Sequence, residues 1–332
     1  MNGELMAAEM AAQPEVLARV IGRAAADAAA VHAVVPAPLA GVVFLARGSS
    51  DNAAVFGRYL VELRAGRPAG LAAPSIYTRY HATVDWHGYL VVALSQSGAT
   101  PEIISACQAM RAAGAAVLGI TNDPHSPLAD TVDLLLETDA GPELAIPATK
   151  TVTAQFAILA TVASAVPAAP AAGDTLAGLP NAVSAVLADR VPARRLAGRW
   201  QGLDRLVVAG RGLAYAAALE TALKVKETTG ILAEGISTAD LLHGPIATVY
   251  AGAPVLLVDG GGPADADLAD LRDLLADRGA EAECLPVPAG LPETAQVITA
   301  IVRGQQLAME LALARHTDPD APAHLSKVTA TT

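Results

Sequence analysis

Short apolar runs, each followed by a polar glycine-bearing loop and then by helical spacing of apolar residues, recur along the chain. Gly41–Ala46 is the first, running into Arg47-Gly48-Ser49-Ser50-Asp51-Asn52 and a helix predicted over Ala53–Leu63. Leu90–Leu94 is the second, and it ends in Ser95-Gln96-Ser97-Gly98-Ala99-Thr100. Pro101 suits a first helical position, and the Thr100 hydroxyl is predicted to cap a helix reaching Ala112. Further strands are predicted at Ala116–Thr121 and Thr131–Leu136, then a loop from Gly141 to Thr151 and a long apolar helix to about Val166. Ahead of all this, residues 6 to 30 read as an alanine-rich helical arm that packs on a domain or on another subunit.

The stretch 167–200 is rich in Pro, Ala and Gly and then carries a helix near Ala182–Ala188, which places the inter-domain connection there. Beyond it the pattern returns: Arg205–Ala209 is a strand, Gly210-Arg211-Gly212 a turn and Tyr215–Thr228 a helix. Arg211-Gly212 lies 164 residues after Arg47-Gly48, Val255–Val258 answers Val91–Leu94, and Glu283–Val287 answers the strand before Asn122. Two matched α/β halves follow, each with a parallel sheet whose ligand edge is the carboxyl end of the strands. The expected boundaries are an arm at 1–30, a first domain at 31–170, a linker helix region at 171–200, a second domain at 201–315 and a tail at 316–332.

The loop Ser95–Thr100 places three hydroxyls on a glycine-bearing turn at a helix N-terminus, where backbone N–H groups and the helix dipole favour an anion. It reads either as a phosphate cradle or as an ordinary Ser/Gly turn between strand and helix. The second half has Asp259-Gly260-Gly261-Gly262 at the matching place, so only the first half is expected to take phosphate.

Composition narrows the ligand. A net charge of -11 and 3% aromatic residues argue against a nucleic-acid surface. The 53% hydrophobic content is largely alanine, and Phe156–Val166, the most membrane-like stretch, is too short to span a bilayer. The N-terminus has no signal-peptide pattern, which predicts a cytoplasmic protein without membrane partners. Cys107 and Cys284 have neither metal nor redox spacing and are assigned packing roles. Of 22 basic residues only Lys150, Lys224, Lys226 and Lys327 are lysines, the residue that can lose its proton where arginine cannot.

Glu220, Lys224 and Glu227 share one face of an otherwise apolar helix, with Lys226 on the other side. They form either a solvated charge ladder or a buried site. Sixteen residues after Glu227 comes His243-Gly244-Pro245. A carboxylate beside a sugar carbon can move a proton between C1 and C2, and a histidine can open the ring; a lone loop histidine can equally be structural. No histidine spacing suits a metal, and no cofactor is implied. The proline-rich tail Thr317–Thr329 reads as a frayed end, or as a strap that folds over a sugar and delivers Lys327.

Together these motifs resemble the double sugar isomerase (SIS) half of glucosamine-6-phosphate synthase. They are Ser95–Thr100, Glu143 with Ala148-Thr149-Lys150, Leu223–Glu227, His243-Gly244-Pro245 and Leu325-Ser326-Lys327-Val328-Thr329, and the leader with Glu9, Gln13 and Pro14 matches as well. The resemblance implies two tandem SIS domains, each a flavodoxin-like parallel sheet with helices on both faces. It implies phosphate and sugar contacts at Ser49, Ser50, Ser95, Gln96, Ser97 and Thr100, and a sugar-facing Glu143. Lys224 and Glu227 become the isomerase pair, His243 the ring-opening residue supplied by the partner in a homodimer, and Lys327 the tail lysine that meets the open-chain sugar. Leu242 departs from the lysine before the histidine, and Ser49 stands for a threonine. The sequence carries no glutaminase half, and stand-alone relatives of this shape are SIS-type glucosamine-6-phosphate deaminases, so that activity is expected, with a small sugar phosphate as substrate. A fructosamine-6-phosphate deglycase, another ketose/aldose isomerase and a non-catalytic sugar-phosphate sensor are the alternatives.

Overall fold

A computed structural model describes residues 2–166 and 176–327 of the chain. The start of the expected connection, 167–175, and the Val328-Thr329 end of the tail motif lie outside the described residues.

The apolar runs form two parallel sheets. The first half runs α1 (Glu4–Ala11), α2 (Gln13–Val34), β1 (Gly41–Leu45), α3 (Ser49–Leu60), β2 (Ala69–Leu71), α4 (Ser75–Thr78), β3 (Tyr89–Leu94), α5 (Pro101–Ala112), β4 (Ala116–Thr121), β5 (Leu134–Glu137) and α6 (Lys150–Ala165). The second runs α7 (Leu179–Ala188), α8 (Val191–Trp200), β6 (Arg205–Gly210), α9 (Ala214–Thr229), β7 (Leu232–Ser237), α10 (Thr238–Leu242), β8 (Pro254–Val258), α11 (Asp265–Asp277), β9 (Glu281–Cys284) and α12 (Glu293–Ala314). The strand orders are β2-β1-β3-β4-β5 and β7-β6-β8-β9. β1 and β8 are buried at every position, and β3 and β4 at all but the first. Strands buried along their length need cover on both faces, which the helices between them provide. The order is that of the flavodoxin-like sheet expected, with the chain reversing its direction of travel between β1 and β3.

The repeat is visible in the pairing. Val42 faces Ala69 in the first sheet and Leu206 faces Ala233 in the second, both 164 positions further on. Val91 faces Val117, but Val255 faces Ala282, so the second copy gains one residue before β9.

Some local expectations change. Helix α3 starts at Ser49 rather than Ala53, because Gly48, at φ 57° and ψ -133°, turns the strand directly into the helix. Thr100 occupies the cap position of α5, but its hydroxyl contacts the Ser95 hydroxyl at 3.2 Å instead of capping. Among the described residues the helix long and apolar enough to cross a membrane is α12, not Phe156–Val166, and 89% of its most apolar stretch is buried, which makes it a core helix.

The described chain forms two compact units that do not coincide with the halves. One gathers the residues up to Glu15, Glu143–Thr153 and the chain from α7 to Lys327. Met6 and Met10 of α1 pack there with Ala145 and Met309, so the first turns of the leader belong to the unit that holds the second sheet. The other gathers Val16–Pro142 and the remainder of α6. Its core includes Val43, Val91, Ile103, Met110, Val117 and Cys107. Burial pushes the Cys107 thiol up to about 12, as fits a packing role. Cys284 is partly buried beside the second-sheet core.

Candidate active site

In the unit built on the first sheet, both serine loops lie at the carboxyl ends of β1 and β3, which are neighbours. This is the switch point at which doubly wound sheets bind ligands. Ser49 and Ser50 sit in the first turn of α3, with Ser50 buried. Ser95 is buried against Thr100, and the Ser97 hydroxyl accepts the Ala99 amide at 3.2 Å. The Gln96 carbonyl accepts the Asn122 amide at 3.0 Å and the Gly98 carbonyl the Leu128 amide at 3.0 Å, which pins the loop from both sides. Arg47, the cation within the first of these loops, is paired with the buried Glu102 at 3.0 Å. The loops therefore offer dipoles rather than net charge. In the second sheet Asp265 is pushed up by burial and by Asp259 beside it, and a carboxyl pair in that position repels an anion.

Gly98 is needed for this loop. Its φ is 60°, and a methyl there would lie 2.0 Å from Ser126 Oγ and 2.4 Å from Ser126 Cβ, which no side-chain rotation relieves. Gly98→Ala is expected to weaken binding of a hexose 6-phosphate by about tenfold or more. Titration calorimetry checks it, and unaltered affinity would separate the loop from phosphate.

The unit that holds the second sheet contains a cluster of charges. Lys224 and Glu220 on α9 are wholly buried, 3.5 Å apart, and Lys224 Nζ lies 2.5 Å from Glu227 Oε2. Burial works against the charge on Lys224. Glu220 and Glu227, with a smaller share from Glu143, outweigh burial and raise its pKa above the ordinary lysine value. Glu227 is 23% exposed, the one member of the helical trio that reaches solvent. The charge-ladder alternative is thus replaced by a buried set, while Lys226 is exposed on the opposite side.

Glu143 accepts the Thr149 and Thr151 amides at 3.0 and 3.2 Å and the Thr151 hydroxyl at 2.7 Å, so it caps the start of α6. Its Oε2 also receives Lys327 Nζ at 3.2 Å. Four contacts use nearly all the acceptor sites of a carboxylate, which leaves little for a sugar. Lys327 donates in addition to the Ala145 carbonyl at 2.6 Å. Glu9 accepts the Leu144 and Ala145 amides, and burial raises its pKa. His243 is exposed where α10 ends. Glu102 as the partner of Arg47, and Thr149 and Thr151 as the donors that hold Glu143, were not legible in sequence, because each acts through contacts made only in three dimensions. Among the described residues no group of His, Cys, Asp and Glu could hold a metal.

Residues 41–165 and 202–318 each match the SIS domain. The chain belongs to the SIS domain family. Among its SIS relatives, the glutamine–fructose-6-phosphate aminotransferase (isomerizing) of Symbiobacterium thermophilum is 33% identical over 314 residues, covering 86% of this chain and 51% of that protein. The chain spans about half the length of the curated relatives it matches. The structure of a proposed phosphosugar isomerase from Silicibacter pomeroyi superposes with a TM-score of 0.85 at 31% identity, covering 96% of this chain and all of that one. The C-terminal domain of glucosamine-fructose-6-phosphate aminotransferase from Francisella tularensis superposes at 0.82 with 24% identity, over 96% and 98% of the two chains, which speaks to the SIS fold.

Proposed function

We propose that this SIS protein is a glucosamine-6-phosphate deaminase, converting the amino-sugar phosphate to fructose 6-phosphate and ammonia. The observation that carries the reading is Lys224, wholly buried between Glu220 and Glu227, with Glu227 alone reaching solvent. A lysine held there fixes the orientation of the carboxylate beside it, which is what a proton shuttle requires.

In this reading Ser49, Ser50, Ser95, Gln96, Ser97 and Thr100 hold the phosphate and sugar hydroxyls. His243, from a second copy of the chain, moves the proton on the ring oxygen as the ring opens. Glu227 takes the C2 proton and returns it at C1, which leaves a C=N bond at C2. Water adds to C2, ammonia departs with the proton it needs, and the ketose remains; the sequence is redox-neutral. Lys327 meets the open-chain sugar, and Glu143 holds that lysine more than it touches substrate. The relatives' name joins an amino group with fructose 6-phosphate and isomerisation. Of the two directions, release requires only the amino sugar and water, whereas amination requires supplied ammonia.

The test is an assay of ammonia and fructose 6-phosphate from glucosamine 6-phosphate, run beside glucose 6-phosphate and a fructosamine 6-phosphate. Equal amounts of ammonia and fructose 6-phosphate from the first are expected. Turnover of the fructosamine alone would replace the deaminase by a deglycase, and binding without turnover of any would leave a sensor.

A further inference from the structure

The tail is fastened well before Lys327. Asp320 is buried, and its two carboxylate oxygens accept the Met6 amide at 2.8 Å and the Leu5 amide at 3.1 Å. These amides belong to the first turn of α1, whose cap residue Gly3 has no side chain to offer. Asp320 thus caps α1 from the far end of the chain, with its charge at the positive end of the helix. Its backbone carbonyl accepts the Ile146 amide at 2.9 Å. Seven residues later Lys327 reaches Ala145 and Glu143. Glu9 of α1 closes the ring by accepting the Ala145 amide, so one peptide is used on both sides: its N–H by Glu9, its C=O by Lys327.

Seven residues of extended chain can reach about 24 Å. An amine on such a tether samples a large volume unless the tether's root is fixed and its tip has a seat. We propose that Asp320 is a positioning residue for the Lys327 amine, and that the first turn of α1 is the anchor through which it acts. The proposal rests on the reading of Lys327 as the lysine that meets the sugar, and it assigns the start of the chain a part in that chemistry.

The test uses the full chain and acetic anhydride, with the exposed Lys226 as internal reference and peptide mass spectrometry as readout. Asp320→Asn and Asp320→Ala are expected to raise acetylation of Lys327 relative to Lys226 by about tenfold, the effect of losing one charge-assisted hydrogen bond. Asp320→Glu should restore most of the protection. An unchanged ratio in Asp320→Asn, the variant closest in shape, would overturn the anchor. In ammonia release, Asp320→Asn should lower kcat with KM unchanged and should cost nothing further once Lys327→Ala is present. Additive losses would make Asp320 merely structural. Full turnover by Lys327→Ala would instead remove the lysine from the reaction, while the acetylation ratio still decides the anchor.

Discussion

Replacing Glu227 with glutamine is expected to lower turnover of glucosamine 6-phosphate by about 10²–10⁴-fold, the usual contribution of a positioned acid–base group. Exchange of the sugar C2 proton with solvent should stop, while affinity for the phosphate ester is kept. Glutamine retains a carbonyl oxygen that can accept from Lys224 at the place where Glu227 Oε2 lies 2.5 Å from it, so the helix face survives. An amide cannot take a carbon-bound proton, so only the shuttle is lost. Exchange followed by NMR in deuterated water reads this directly, and exchange at the native rate would remove Glu227 from the role. Mixing Glu227→Gln with His243→Asn extends the test. If His243 comes from a partner copy, mixed dimers hold one intact site each, and activity should return to about a quarter of the native value. No recovery would place both residues in one chain's site.

Lys224→Met is expected to cost about 3–5 kcal/mol of stability, because it leaves buried carboxylate charge without its counter-ion. The cation is wholly buried and Glu220 with it, so water cannot make up the loss. Adding Glu220→Gln should recover part of the deficit. The pH dependence has a definite sign. The folded-state pKa of Lys224 is raised, so its contribution is fully present below the unfolded lysine value of about 10.4 and is lost only as pH rises through the folded value. Urea unfolding should therefore show a constant gap between the native chain and Lys224→Met from neutral pH to about pH 10, narrowing above. A gap that already closes near neutrality would mean that Lys224 is uncharged in the fold.

Much of this arrangement was readable from residue order. Strands buried on both faces are continuous apolar runs, and β1, β3, β4, β6 and β8 announce themselves in that way. The edge strand β7, Leu-Ala-Glu-Gly-Ile-Ser, has no such run, and β2 has three residues. Helix α12 is buried nearly all round, with Thr299, Gln305 and Gln306 inside beside its valines and isoleucines, so no one-sided stripe marks it. In the candidate site, the trio on α9 was legible because helical spacing alone puts Glu220, Lys224 and Glu227 together. Burial, which separates a site from a surface ladder, comes from α12 packing against α9 and is invisible along the chain. The tail kept two readings open because prolines suggest fraying, and Asp320 shows its purpose only beside the amides of Leu5 and Met6.

The segment Glu143–Thr153 lies within the first repeat in sequence but within the other compact unit in space. A gene divided in the connection before α7 would leave Glu9, Glu143 and the threonines that hold it on one fragment, and Lys224, Glu227 and Lys327 on the other. Neither product would own the whole set of paired carboxylates and lysines, although each would carry a complete parallel sheet. Because this short segment and α1 pack with the second sheet, the halves of the repeat are not separable modules, and recombination that treats them as such takes Met6, Met10 and Ala145 out of the core they share with Met309.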